Sequence, residues 1–262
     1  MLFRSEANLW DTVRDPFYDR GSVYTVPYTV FSTGIGYRTD RVDAPLQGPS
    51  GWDALWDPQY RGATGLLDSY REAIGLGLQH IGVGDVNTTS KSEVQASIKE
   101  LQRMLRATNA RITVTGYQDV PEGVTKVNQI WSGDIFLATG YLKRGVDASV
   151  LGYWAPPIEQ RVINNDVMTV MRNAEHPVLA HRFIDFMLDP ENARINQEYI
   201  GYQSTVKGLE ADALVNAGTI PSNLAGALVT ADDFARSIRI CALPPNADRM
   251  WQDAWSGLRT GA

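Results

Sequence analysis

The sequence predicts an α/β protein. Its 262 residues are 44% hydrophobic and 21% charged, a composition typical of globular chains. Short apolar or β-branched segments alternate along the chain with segments whose apolar residues recur at helical spacing. This alternation is typical of βαβ units, so we expect a parallel sheet covered by helices. The length suits one large domain or two of modest size.

The strands are predicted from runs of β-branched and aromatic residues. The first runs from Val23 to Phe31 and keeps strand character to Tyr37. Pro27 within it favours an edge strand or a break, and residues 43–51 have the composition of a loop. Further strands are predicted at 63–67, 112–114 and 127–131, and within 160–171.

Capping signals mark the starts of several helices. Ser69 with Glu72, and Ser90 with Glu93, fit the S-x-x-E capping box. Asp189 suits an N-cap position that is followed by a proline. Together with apolar residues at helical spacing, these signals predict helices after 69 and after 90, at 133–142, 176–188 and 189–201, and at 247–258.

Charge and motif content disfavour several classes of function. The chain has 24 Lys and Arg against 30 Asp and Glu, and its net charge of −6 disfavours nucleic-acid binding. Cys241 is the single cysteine, so no internal disulfide can form. The three histidines lack metal-ligand spacing, and no apolar run is long enough for a transmembrane helix. The first eleven residues do not read as a secretory signal as written.

Common catalytic and cofactor motifs are also missing from the sequence. It has no nucleophile elbow and no Walker loop. Gly34-Ile35-Gly36 lacks the third glycine of a dinucleotide fingerprint, which favours a turn or a hinge at this point. We therefore expect no metal, no cofactor and no enzyme that uses a common nucleophile.

Acidic and aromatic residues lie where predicted strands give way to helices. Glu72 follows the strand at 63–67, and Trp131 and Asp134 follow the strand at 127–131. Ligands of open α/β sheets bind beyond the carboxyl ends of strands, so these residues are candidates for a binding site. The local pattern leaves simpler roles open: Glu72 as a capping residue, Asp134 as a charge at a helix N-terminus, Trp131 as core, and Asp166 as part of a turn.

Four longer blocks follow one another along the chain: YTVPYTVFSTGIGYRTDRVD, WDALWDPQYRGATGLLDSYREAIGLGL, IWSGDIFLA and FIDFMLDPENARINQEYIGYQS. In this order they resemble the spermidine/putrescine-binding proteins of ABC importers, which are extracytoplasmic solute-binding proteins. The resemblance implies a two-lobe, type II periplasmic-binding-protein-like fold with the ligand in the cleft between the lobes. Residues 1–36 and 160–262 are then expected to form the first lobe and residues 37–159 the second. Family members begin with roughly 90 more residues, judged from the usual size of two lobes, so the first lobe is expected to be incomplete.

The resemblance also implies a ligand site. Trp131 and Asp134 match the family's W-x-G-D, in which the indole stacks on the alkyl chain and the carboxylate meets an ammonium group. Glu72 and Asp166 match further ammonium partners, and Tyr202 matches a tyrosine of the cleft.

Two positions depart from the family pattern. Ser69 stands where some members have a second Asp, and we retain it as a candidate ligand residue. Asn164 stands where Trp or Phe is expected, so we expect weaker or altered polyamine selectivity.

The predicted function is that of the solute-binding component of an ABC importer, without enzyme activity. Its ligand is expected to be putrescine, spermidine or a related cation, its partner a membrane permease, and its location periplasmic or otherwise extracytoplasmic. Two alternatives remain: a different small ligand, such as an amino acid or an opine, and a hydrolase that uses Glu72 and Asp134 as paired carboxylates.

Overall fold

The computed structural model describes residues 4–42, residue 46 and residues 49–261. Within these residues, the strands form one connected sheet in the order β3-β2-β4-β1-β5, and β6 and β7 also pair with β1. The strands are β1 Val26–Arg38, β2 Thr64–Leu67, β3 Arg111–Thr113, β4 Val127–Trp131, β5 Leu151–Trp154, β6 Ile163–Met168 and β7 Gln203–Ser204.

The helices cover this sheet and confirm most of the predicted ones. The Ser90 hydroxyl accepts a hydrogen bond from the Glu93 backbone N–H at the start of α2, and the Asp189 carboxylate caps α6. The α-helices of the described residues are α1 Tyr70–His80, α2 Lys91–Thr108, α3 Gly116–Glu122, α4 Ser132–Ala138, α5 Pro177–Met187, α6 Pro190–Ile200, α7 Ala211–Asn216, α8 Ala231–Arg236 and α9 Pro245–Thr260. None of them is long and apolar enough to cross a membrane.

The long strand β1 joins the two ends of the sheet. Its first half pairs with β6 and β7, and its second half pairs with β4 and β5. The register of β1 against β6 shifts between Pro27 and Thr29, in keeping with a residue that has no N–H to donate to the ladder. The predicted strand is confirmed from Val26 onward, and Pro27 causes a register shift rather than a break, since β1 continues through it.

The prediction of a parallel sheet is correct for only part of it. β2 runs parallel to β3 and β4, with α1 and α2 between β2 and β3 and α3 between β3 and β4. β1 is antiparallel to all four of its neighbours. Parallel neighbours need a long crossover, usually a helix. In the described part of the sheet, β1 does not pair with β2, the next strand along the chain, but with β4, β5, β6 and β7, so no helical crossover leads from β1 directly to a neighbouring strand.

Two further local predictions can be compared with the structure. Gly34 and Gly36 lie inside β1, so the interpretation as a turn or hinge is wrong. A Cβ on Gly34 would collide with the carbonyl oxygen of Trp154, and one on Gly36 would collide with Ile130. The predicted loop at 43–51 lies mostly outside the described residues, and its last three residues begin the turn Pro49–Leu55.

Two clusters of buried apolar side chains form the core. The first contains residues of the early part of β1, β6, α5 and α6 and also residues of α3, β4, α4 and β5, and the second contains α1, α2 and α9. In the second cluster Trp251 of α9 is fully buried, and α9 packs on α1 and α2. The division into lobes at 36/37 and 159/160 stays a prediction, but by its packing α9 goes with residues 37–159.

Helix α5 carries an apolar face that the described residues leave open to solvent. Leu179 is 65% exposed, Phe183 57% and Phe186 55%. These three side chains are spaced so that they share one side of the helix. Exposed apolar side chains grouped in this way are typical of surfaces that contact other apolar surface.

Candidate functional site

Glu72 lies in the first turn of α1, immediately after β2. Ser69 occupies the N-cap position, but its side chain makes no capping hydrogen bond. The Glu72 Oε1 atom instead accepts a hydrogen bond of 3.1 Å from the indole N–H of Trp131. The capping-box interpretation of this pair is therefore wrong, and the Glu72 carboxylate is directed toward the end of β4.

Trp131 and Asp134 lie at the neighbouring strand end. β4 ends at Trp131, and α4 begins at Ser132. Because β2 and β4 are parallel, their carboxyl ends meet at one edge of the sheet, which brings Trp131 to Glu72. Asp134, in the first turn of α4, is only 5% exposed.

Asp134 accepts a side-chain hydrogen bond at one of its two oxygens. The hydroxyl of Tyr202 donates to its Oδ1 atom over 3.0 Å. Its Oδ2 atom is buried and has no hydrogen-bond partner in the described part of the chain. A buried carboxylate oxygen without a partner costs free energy, so a group that donates a hydrogen bond to this atom would lower the free energy.

Burial changes the ionisation of both acids. It raises the pKa of Asp134 to about 7, against the opposing effects of hydrogen bonds from the Tyr202 hydroxyl and from the backbone of Trp131. Burial also raises the pKa of Glu72, and the Trp131 hydrogen bond opposes that shift. The pKa of Tyr202 is raised by burial first and by the charge of Asp134 second, so this hydroxyl remains a donor.

The position of Tyr202 depends on two glycines. Gly201 ends α6 with a φ of 78°, a left-handed conformation that favours glycine. A Cβ on Gly133 would collide with the ring of Tyr202, and a Cβ on Gly201 would press against the carbonyl oxygen of Gly133. The end of α6 can therefore approach the first turn of α4 only because neither position carries a side chain.

Asp166 lies on β6 rather than in a turn, so the turn interpretation is wrong. Its Oδ2 atom accepts a hydrogen bond of 2.8 Å from the hydroxyl of Thr29, which is its partner across the strands. Its charge contributes to the raised pKa of Tyr202, after burial and the effects of Asp134.

Phe31 is a further aromatic residue at this place, and the sequence analysis missed it. Its ring centroid lies 6.1 Å from that of Trp131 and 5.7 Å from that of Tyr202, both in edge-to-face geometry. Sequence alone held one usable signal, the alternation of Thr29, Phe31 and Thr33 along one face of a strand. Only the register with β6 shows which face that is.

The structure links five of the six predicted site residues through these contacts. Glu72 contacts Trp131, and Asp134 contacts Tyr202. Phe31 lies between the two pairs, and Asp166 acts electrostatically on Tyr202. Ser69, the sixth, lies three residues before Glu72, and its role stays a prediction.

No basic side chain of the described residues forms an ion pair with Glu72, Asp134 or Asp166. Arg71, next to Glu72 on α1, donates to the carbonyl oxygen of Cys241, and its guanidinium lies over the ring of Trp251. Within the described residues, the site thus combines three acids and three aromatic rings without an ion pair, and the charge of Arg71 acts on Glu72 by opposing the rise that burial causes in its pKa. The described residues also contain no group of three His, Cys, Asp or Glu arranged to hold a metal ion.

The chain belongs to the family of bacterial extracellular solute-binding proteins, whose sequence pattern it matches over residues 4–221. Members of this family are transport proteins that bind solutes. The fold is that of the type II periplasmic binding proteins. It matches the solved spermidine/putrescine ABC transporter substrate-binding protein PotD from Streptococcus pneumoniae with a TM-score of 0.74 and 21% identity, over 98% of this chain and 75% of that chain.

Two curated relatives share part of the sequence. The chain is 30% identical over 192 residues to the spermidine/putrescine-binding periplasmic protein of Escherichia coli, a match that covers 73% of this chain and 52% of that protein. It is 27% identical over 202 residues to the putrescine/cadaverine-binding protein of Pseudomonas aeruginosa, covering 71% of this chain and 53% of that protein. The matches therefore span about half the length of these relatives.

Proposed function

We propose that this protein binds an elongated diamine or polyamine as the solute-binding component of an ABC importer. Its partner in this proposal is the permease of that importer, and its location is the periplasm or another extracytoplasmic compartment. Residues 1–36 and 160–236 would form most of one lobe, and residues 37–159 together with α9 the other. Support comes from the relatives named for spermidine, putrescine and cadaverine and from the chemistry of the site.

The observation that carries the proposal is the burial of two acids that form no ion pair within the described part of the chain. Glu72 is 7% exposed and Asp134 5% exposed, and neither is paired with a basic side chain of the described residues. Burying an unpaired carboxylate is costly. An ammonium group at 4 Å would contribute about 4 kcal/mol to each contact at an effective dielectric constant of 20, before desolvation is subtracted. A ligand with an ammonium group at each end compensates both acids at once.

The aromatic rings between the acids suit the alkyl part of such a ligand. Trp131 donates a hydrogen bond to Glu72, and Tyr202 donates one to Asp134. A methylene chain that runs from one acid to the other would lie against the rings between them. A ring face near an ammonium group adds about 0.5–2 kcal/mol by cation–π attraction.

The same site disfavours an amino acid or an opine. Both carry a carboxylate, which here would face Glu72, Asp134 and Asp166 without a compensating cation. Like charges at such distances are repulsive, and a buried, unpaired charge adds a desolvation cost. We propose that the ligand is bound and released without chemical change.

Calorimetric titration with putrescine, cadaverine and spermidine tests the proposal. We expect binding of at least one of them, and a dissociation constant raised about tenfold or more by Asp134→Asn, since a hydrogen bond to a charged group contributes about 1.5–3 kcal/mol. Asp253→Asn on the exposed side of α9 is the matched control and should leave binding unchanged. If none of the three amines produces heat or raises the melting temperature, the polyamine assignment is wrong. Equal losses in the two variants would show that the site lies elsewhere.

A further inference from the structure

Phe31 lies at the centre of the aromatic group, between Trp131, which is hydrogen-bonded to Glu72, and Tyr202, which is hydrogen-bonded to Asp134. Its edge-to-face contacts reach both Trp131 and Tyr202, and its own side chain is half-buried. Edge-to-face pairs contribute beyond their buried area, so removing this ring would also loosen its two neighbours.

The register of β1 places Phe31 on the ligand side of the sheet. It pairs directly with Asn164 of β6, as Thr29 pairs with Asp166. Directly opposed residues project on the same face with Cβ atoms about 5 Å apart. Phe31 therefore supplies a ring within reach of the volume that an aromatic residue at position 164 would fill.

Asn164 itself is engaged elsewhere. Its Oδ1 atom accepts a hydrogen bond of 3.2 Å from the backbone N–H of Ile240. This bond holds the segment after α8 against β6. Position 164 thus has a structural role, and the adjacent aromatic surface comes from the opposite strand.

Three residues on this face of β1 lie along the length of the site. Thr29 holds Asp166, Phe31 contacts the two rings, and Thr33 lines the same recess as Glu72. Four residues of extended chain span about 13 Å. The strand therefore runs alongside a ligand whose ends lie near the acids, with Phe31 at its middle.

The geometry points to Phe31 as the residue that contacts the methylene chain of the ligand and sets the preference between diamines of different length. This inference rests on the proposed function. A central ring detects how many methylenes lie between the two ends, whereas the acids detect only the ends. Phe31 thereby replaces, from the opposite strand, the aromatic residue expected at 164.

The test compares the dissociation constants of 1,4-diaminobutane and 1,5-diaminopentane by calorimetry. We expect the wild-type chain to favour the five-carbon diamine about fourfold, the equivalent of one buried methylene at about 0.8 kcal/mol. Phe31→Ala should weaken both diamines about tenfold or more and bring the ratio close to one. Phe17→Ala, at a phenylalanine that is 48% exposed and packs on Tyr18, is the matched control and should change neither value.

A second variant supplies an aromatic ring from β6 in place of the one removed from β1. Phe31→Ala combined with Asn164→Phe should recover both the affinity and the length preference to within about threefold, because the two positions share one face. Thermal unfolding of each variant verifies that it is folded.

The outcomes separate the two proposals. If the wild-type chain binds neither diamine, the proposed function fails, and the inference fails with it. If the wild-type chain binds and Phe31→Ala leaves the ratio of the two constants unchanged, the inference alone is overturned. A folded double variant that does not recover the length preference also overturns it.

Discussion

Ligand affinity is expected to depend on pH through Asp134. Burial raises the pKa of this carboxyl from 3.8 to about 7, so below pH 7 the unliganded site is mostly protonated. An ammonium ligand binds the ionised form, and one proton must then leave for each ligand bound. The affinity should fall about tenfold per pH unit below 7, which makes it about 100-fold weaker at pH 5 than on the plateau above pH 7.

Neighbouring groups change the slope but not its sign. The pKa of Glu72 is also raised by burial, so a second proton can steepen the dependence at lower pH. The pKa of both Tyr202 and Tyr153 is raised above the usual tyrosine value. Both hydroxyls therefore stay neutral between pH 5 and 8. Alkyl ammonium groups titrate near pH 10, so the ligand also keeps its charge in this range.

Calorimetry with putrescine at pH 5, 6, 7 and 8 measures the effect. Two buffers that differ in ionisation enthalpy give the number of protons released on binding. Asp134→Asn should weaken binding and remove the part of the pH dependence of the dissociation constant that comes from Asp134. Asp253→Asn should leave this pH dependence unchanged. A dissociation constant that stays the same from pH 5 to 8, with no proton release in the wild-type chain, would refute the reasoning.

The same shift acts on the stability of the unliganded chain. Because the folded state holds the proton of Asp134 more tightly than the unfolded state, stability falls as the pH rises from about 4 to about 7. The shift from 3.8 to about 7 corresponds to a destabilisation on the order of 4 kcal/mol at pH 8. Asp134→Asn should therefore raise the unfolding free energy relative to wild type at pH 8 and change it little at pH 4. Denaturant unfolding at the two pH values measures this difference.

Two further predictions concern packing. Gly133→Ala should push the Tyr202 ring away from α4 and lower both the melting temperature and the diamine affinity, at a cost of about 1–3 kcal/mol of stability. Gly140→Ala is the control, because the added Cβ meets no atom within 4 Å. Equal melting temperatures for the two variants would contradict the packing argument. Phe183→Ser on the exposed face of α5 should reduce self-association measured by light scattering at high concentration, with stability within about 0.5 kcal/mol of wild type; unchanged scattering would show that this face does not drive association.

The local elements could be predicted from the sequence because their signals are local. The apolar residues after Ser90 recur at helical spacing, and the hydroxyl of Ser90 caps α2 as expected. The strand at 63–67 reads as a short apolar run, and β2 is buried at every position. Capping, periodicity and burial favour the same structure in these segments, so tertiary packing did not change the locally predicted structure.

The errors arose where distant parts of the chain decide the outcome. The direction of β1 depends on its pairing with four other strands. The orientation of Glu72 depends on an indole 59 residues away. Nothing in S-x-x-E indicates whether the glutamate will bond back to the N-cap or forward to a neighbouring strand end. The six site residues could be named from a resemblance, whereas Phe31 needed a register that no local pattern contains.

β1 explains how one strand can organise both the core and the site. Its residues alternate between two faces, with Thr29, Phe31 and Thr33 directed to the acids and rings. On the other face Gly34 and Gly36 leave room for the strand and side chain that approach them. A shift of the register by one residue would exchange the two faces: it would bring side chains against Trp154 and Ile130 and turn Phe31 away from Trp131. Steric contact at Gly34 and Gly36 therefore fixes the register of β1, and this register places the ring of Phe31 beside Trp131 and Tyr202. The packing of one face of the strand thus determines the geometry of the site on the other face.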